Sequence, residues 1–344
     1  MKGILLLLMV MPLAIFAQKD YSKKAIKVFN EGNAAYRSGD FSNAMLLYKK
    51  CVQIESQYAE AYVNMSAISF DNKDYVPALS YAKQAHSIEK IQKSVFTQLG
   101  KSYYMNNKFD SAVYYLNRIK IFKPLSEEEN YFLAASRIQT KDFVGAKKLA
   151  DDLLKVKPGN SDYTVLRGNA SFGLGEYDKA LKDYNTALEA EPNNLYIYSN
   201  IANTYLKLDK ADEAFKFIDK GIEGAKGRDK IAFLILKGNY YHSLKELDNA
   251  EKTFNDAYTI DPSNPNVLVN QAGVLLDREK YQSALEKCNL ALSKDSQLME
   301  AYYNRGIANE MLRNVKAACQ DWEEAFILGS SKAEEFLNSA TCNE

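Results

Sequence analysis

Residues 168–192 read GNASFGLGEYDKALKDYNTALEAEP. Two small residues twelve apart, Gly168 and Ala180, flank a short polar break, Leu174-Gly175-Glu176, which is followed at once by the aromatic Tyr177. Glycine inside a helix costs about 1 kcal/mol relative to alanine, so its presence there needs a packing reason, and close approach by a neighbouring helix supplies one. Gly175 suits the left-handed residue that ends a helix, and Pro192, which has no amide donor, stops the next one. The stretch therefore predicts a helical hairpin.

The same lettering returns every 34 residues. In frames that begin at Ala25, place twenty is alanine nine times: Ala44, Ala78, Ala112, Ala146, Ala180, Ala214, Ala250, Ala284 and Ala318. Place eight is small throughout, as Gly32, Ser66, Gly100, Ala134, Gly168, Ala202, Gly238, Ala272 and Gly306. The break between them is polar, with Gly39, Gly175 and Asn107 suited to end a helix and Asp40, Asp74 and Asp142 placed to cap the next. An apolar anchor then follows in every frame, from Phe41 and Tyr75 to Tyr281 and Val315, and Pro124, Pro158, Pro192 and Pro262 recur near the frame end. Periodicity of this kind outranks length as a guide to domains: it predicts one elongated array whose hairpins bury themselves against their neighbours.

Small residue, aromatic, alanine and proline at this spacing resemble the tetratricopeptide repeat. The resemblance covers residues 25–332 as nine copies (25–58, 59–92, 93–126, 127–160, 161–194, 195–228, 231–264, 265–298 and 299–332) and implies an all-α, right-handed superhelical solenoid of helix-turn-helix repeats. Some places depart from the family pattern. Cys51, Ile119, Leu153 and Gly221 stand where Ala85, Ala187, Ala257, Ala291 and Ala325 stand elsewhere, and Ser56, Lys90, Lys226, Ser296 and Ser330 replace the proline. A two-residue slip at Asp229-Lys230 coincides with the glycine-rich stretch Gly221 to Arg228. That stretch lacks the ending of a phosphate-binding loop and reads as a loosened joint at 221–230, which would let the last three repeats swing against the first six.

Outside the array, Met1-Lys2-Gly3, an apolar run from Ile4 to Phe16 and then Ala17-Gln18 have the three-part layout of a secretory signal, residues 1–17, followed by a short lead, 18–24. The run is shorter than the ~18 to 20 residues that span a bilayer. This predicts a chain exported to the periplasm or beyond, with an uncleaved membrane anchor as the alternative. Residues 333–344 are expected to form a closing helix. It would bring Cys342 onto Cys319, where export favours a disulfide, whereas Cys51 and Cys288 sit at interface places and read as small buried hydrophobes.

Charge excludes some partners. Lys plus Arg equals Asp plus Glu at 44 each, and loss of Lys2 with the signal leaves 43 against 44, so nothing favours nucleic acid. The acidic excess from Asp321 onward reads as a solvated end cap. Two histidines, His86 and His242, and the absence of hydrolase, zincin or paired C-x-x-C motifs leave no catalytic grouping, metal set or cofactor site, so no enzyme is expected.

By the resemblance, first helices line an inner wall whose exposed places are two, five, nine and twelve. Place nine offers Asn169, Asn203 and Asn239 in successive repeats, amides able to donate to and accept from an extended peptide, although asparagine is also simply common there. Place twelve offers Tyr104, Phe172, Leu206 and His242, either as a floor for a partner or as packing between first helices. The family's clamp for chaperone carboxylates needs Lys and Arg on this wall. Glu60, Glu128, Asp162, Val165 and Ser199 occupy those places instead, with only Asn30, Asn64, Asn200, Asn270 and Asn304 matching in part. The expected function is a non-enzymatic scaffold for proteins or extended peptides in a cell-envelope assembly. The alternative is a glycan or small-molecule receptor that uses the groove aromatics.

Overall fold

The computed structural model describes residues 21–122, 124–338 and 342; the expected signal, residues 1–17, lies outside them. Among the described residues there are nineteen α-helices, one 3-10 turn and no strand. The chain divides into two compact units, Met1–Leu149 and Ala150–Glu344. The first holds α1 (Lys23–Arg37), α2 (Phe41–Ile54), α3 (Ala59–Asp71), α4 (Tyr75–Ile88), α5 (Lys93–Met105), α6 (Phe109–Arg118), α7 (Glu127–Gln139) and the start of α8 (Phe143–Val156). The second continues with α9 (Ser161–Gly173), α10 (Tyr177–Ala190), α11 (Leu195–Lys207), α12 (Ala211–Gly224), α13 (Gly227–Ser243) and α14 (Leu247–Ile260). It ends with α15 (Pro265–Asp277), α16 (Tyr281–Lys294), α17 (Met299–Met311), α18 (Val315–Ile327) and the short α19 (Ser331–Leu337). Within each unit, consecutive helices pack as hairpins and each hairpin stacks on the next, the all-α helix-pair solenoid that the 34-residue period predicts.

The small places do what their size requires. Ser66 at place eight donates its hydroxyl to the Ala78 carbonyl at place twenty, 2.8 Å away, so the two columns do meet. Where place eight is glycine, the close neighbour is the bulky side chain at place twenty-four. A Cβ on Gly168 would lie 2.6 Å from the Tyr184 ring, and one on Gly306 would lie 2.4 Å from the Trp322 indole. Burying one large side chain per hairpin in this socket supplies on the order of 2 kcal/mol or more of apolar burial each.

The turn geometry is more uniform than the sequence. Place fifteen is left-handed in all nine hairpins, with φ of 75° to 81° at Gly39 and Gly175 but also 55° to 66° at Lys73, Asn107, Lys141, Asp209, Lys245, Glu279 and Arg313. Asp40 and Asp142 cap α2 and α8 by accepting from the third helical amide, at 3.1 and 3.0 Å. Asp74 makes no such cap, because the third residue of α4 is Pro77, which has no amide hydrogen.

Polar staples set the register between hairpins in the second unit. Arg167 holds Asp183 in a bidentate pair at 2.7 and 2.9 Å and reaches back to Asp151 at 3.3 Å. Arg305 repeats the arrangement with Asp321 and Asn289, at 2.6 to 3.0 Å. Asp321 is therefore buried and paired, not part of a solvated acidic cap. The glycine-rich stretch is helical except for Ala225 and Lys226; α13 absorbs the slip as an extra first turn, and Gly221 receives the Phe233 ring. Cys51 and Cys288 are fully buried free thiols, and burial pushes them up to about 11 and about 12. Cys319 and Cys342 form a disulfide with Cα atoms 5.6 Å apart.

Candidate functional site

The face of the first helices carries the residues that the repeat pattern offers to a partner, and it differs between the two units. In the first unit, α3, α5 and α7 close their stretch of this face with their own side chains, while a hollow of about 360 Å³ stays open between α1 and α3, beside Asn33, Tyr36, Glu60 and Asn64. Phe70 and Tyr104 each meet Phe132 edge-on, with centroids 5.8 and 5.5 Å apart, and Tyr104 also packs edge-on against Phe109 at 5.7 Å. The Lys101 ammonium lies between Phe70, 4.5 Å away, and Phe132, 5.7 Å away, and pairs with Glu128. Its side chain is only 8 % exposed.

Beneath this plug sits Glu129, which closes the capping box of α7 with Ser126 and accepts from Thr97 at 2.6 Å and from Lys93 at 3.2 Å. Burial alone would raise its carboxyl. The hydrogen bonds from Thr97, the Ser126 amide and Lys93 more than offset that and hold it below the ordinary carboxylate value.

In the second unit, the asparagines of place nine have unlike roles. The Asn169 oxygen accepts from the Tyr184 hydroxyl at 2.8 Å and the Asn200 amide at 3.1 Å, and its nitrogen donates to the Tyr196 hydroxyl at 3.1 Å. The same device appears in the first unit, where Asn33 accepts from Tyr48 and Asn64 at 2.8 and 3.1 Å. These amides tie one hairpin to the next. Asn203 donates to the Ser199 carbonyl of its own helix at 2.9 Å, and Asn239 is exposed. Phe172 packs edge-on against Tyr177 at 5.5 Å, and Leu206 is half-buried.

His242 is the sequence-selected residue that borders an open site. Its Nε2 lies 2.7 Å from Asp277, which also accepts from Lys245 at 2.8 Å. Burial would raise the Asp277 carboxyl, but hydrogen bonds from Lys245 and His242 keep it low. Beside His242 opens a cleft of about 500 Å³, floored by Val269, Asn270 and Gly273 of α15 and walled by Met299, Glu300, Tyr303 and Asn304 of α17. Gly329 and Ser330, which lead into α19, and Ser331 and Lys332, its first residues, close one side. Gly273 makes the space: it holds place nine, and a Cβ there would already stand 3.2 Å from the His242 ring. The sequence carried this signal as the lone glycine in a column of larger residues, and it was missed. A broader hollow of about 610 Å³ lies on α1 alone, where one helix cannot enclose a ligand.

Family models match within the second unit. Residues 168–209 match the model described as TPR repeat, and residues 231–264 match the tetratricopeptide repeat. These two stretches of the chain are similar to tetratricopeptide repeats. Its relatives include stress-induced-phosphoprotein 1 of Caenorhabditis elegans, 26% identical over 68% of this chain and 72% of that protein. Another is the DnaJ homolog subfamily C member 7 homolog of Schizosaccharomyces pombe, 25% identical over 92% of this chain and 66% of that protein. Among solved structures, a tetratricopeptide repeat protein from Parabacteroides merdae superposes with a TM-score of 0.57 at 16% identity, over 74% of this chain and all of that one, a likeness of fold. Among the described residues, no cluster of His, Cys, Asp and Glu could hold a metal ion, and no helix is long and apolar enough to cross a membrane.

Proposed function

We propose that this chain is a non-enzymatic scaffold that holds an extended segment of a partner protein in the cleft between α13, α15, α17 and the lead into α19. The observation that carries this reading is the contrast at place nine, where Lys101 fills the wall at α5 and Gly273 leaves it open at α15. The cleft offers what an extended chain needs: the amides of Asn270 and Asn304 for its backbone, and Tyr303 and Met299 as apolar contacts. Its wall is largely preformed, so little ordering cost falls on the scaffold. The glycan alternative has weaker support, because the place-twelve rings Tyr36, Phe70, Tyr104 and Phe172 are each engaged in a T-shaped contact with the place-seventeen ring of their own hairpin.

Export to the cell envelope is part of the proposal. It is supported by the basic, apolar and small-residue layout of residues 1–17 and by a disulfide, a bond that persists in oxidising compartments.

Selection from a library of random-sequence dodecapeptides on the immobilised full chain tests the cleft. Selected peptides are expected to bind wild type and to lose at least about tenfold in affinity for Gly273→Lys, a change that copies Lys101 into the cleft and costs at most about 1 kcal/mol of stability. Equal affinity for both proteins would reject the cleft as the site.

A further inference from the structure

The closing helix of the second unit is tied to the cleft on one side and to a cystine on the other. Helix α19 has seven residues, well below the roughly 12 to 15 that sustain a helix in water, so it persists only by docking. Its docking surface is small. Ala333 is buried against Ala318 and Ala325, and Phe336 packs at a tilt on the Trp322 indole with centroids 4.5 Å apart. Phe336 also meets Tyr303 edge-on at 5.8 Å, and Tyr303 lines the cleft.

Gly329, at φ +104°, reverses the chain between α18 and α19; its amide and that of Ser330 bond the Phe326 and Ala325 carbonyls of α18 at 2.8 Å, and the other half of this cleft wall, Ser331 and Lys332, is the start of α19. The remaining tether is Cys319–Cys342, which closes a 23-residue separation around α19. Both of its cysteines are partly exposed, whereas Cys51 and Cys288 are fully buried.

We infer that the Cys319–Cys342 disulfide is a thiol-sensitive latch that holds α19, and with it one wall of the cleft, in place. A dithiol reductant supplies the two electrons. One of its thiolates attacks a sulfur of the cystine to give a mixed disulfide and release the other cysteine as a thiol. The second thiolate then displaces the remaining cysteine, leaving two protein thiols and the reductant as a cyclic disulfide. Without the tether, the short helix opens far more often, the Trp322 face is uncovered, and Ser331 and Lys332 of the cleft wall lose their anchor, while the Gly329 and Ser330 amides stay bonded to the Phe326 and Ala325 carbonyls of α18. The consequence for ligand retention rests on the cleft being the binding site; the consequence for α19 does not.

The test uses the full chain, oxidised or treated with dithiothreitol, with reduction verified by mass after alkylation. Hydrogen exchange is followed at the α19 amides and at the indole N–H of Trp322, the single tryptophan, whose N–H finds no acceptor among the described residues. Reduction is expected to speed exchange there on the order of 100-fold while the amides of α9 and α10 keep their rates. The double variant Cys319→Ser, Cys342→Ser is expected to show the fast rates with or without dithiothreitol. Unchanged exchange after complete reduction would overturn the latch. A dodecapeptide selected on the oxidised chain is expected to dissociate at least several-fold faster after reduction. Equal dissociation, with exchange accelerated, would overturn the link to the cleft while leaving the latch. Failure to select any peptide, with exchange accelerated, strikes the cleft and not the latch.

Discussion

The same repeat places give a filled stretch of wall across α3, α5 and α7 and an open cleft across α13, α15 and α17, and a smaller hollow of about 360 Å³ opens beside Asn33, Tyr36, Glu60 and Asn64 of the first unit. In the first, Phe70, Lys101, Tyr104, Glu128 and Phe132 satisfy one another across α3, α5 and α7. In the second, Gly273 takes the place of Lys101, and His242, Asn270, Tyr303 and Asn304 stand around an empty volume. The difference teaches that exposure in a helix-pair repeat is not set by the column. A long cation flanked by rings closes the face, and one missing side chain opens it.

The change expected to damage the second unit most is Trp322→Ala. It empties the socket over Gly306 and removes the ring on which Phe336 rests, at a cost of about 3 to 5 kcal/mol, measurable by urea unfolding. Lys101→Gly would turn the first unit's face toward the second's. Losing a buried cation between two rings and gaining a helical glycine should cost about 2 to 3 kcal/mol in the same assay.

Glu129→Gln removes the charge beneath the plug and should cost about 2 kcal/mol at neutral pH. Because the folded-state carboxyl is held low, its contribution is complete above the ordinary carboxylate range and is lost as pH falls through the folded value. Unfolding at neutral pH and near pH 3 should therefore show the gap between wild type and Glu129→Gln closing in acid. The smallest effect is a gain. Glu279→Gly relieves a left-handed residue with φ +59° and should stabilise by about 0.5 to 1 kcal/mol in thermal melts, less whatever glycine adds to the unfolded chain's freedom.

The helix pairs were legible because the small residues at places eight and twenty carry the packing in their own size. Turn geometry was legible at Gly39, Asn107 and Gly175. Lys73, Lys141 and Arg313 adopt the same φ because the packed hairpin imposes it on residues that do not favour it. The Asp74 cap failed because Pro77 has no hydrogen to donate, a fact present in the sequence but two residues from where the cap was sought. Asp321 was read by its charge alone, although Arg167 and Asp183 repeat the spacing of Arg305 and Asp321. Tyr184 and Asn200 occupy Asn169 through contacts fifteen and thirty-one residues away, which a column of asparagines does not reveal. The cleft was hidden for a related reason: the eye follows residues that are present, and this site is made by one that is missing.

Photo-crosslinking tests the contrast between the two faces most directly. With benzoylphenylalanine at position 270 in one variant and at position 70 in another, each is mixed with a dodecapeptide selected on wild type and irradiated. Crosslinks are expected from position 270 and not from position 70. Equal yields, or crosslinks from position 70 alone, would contradict the assignment of the open face as the binding face.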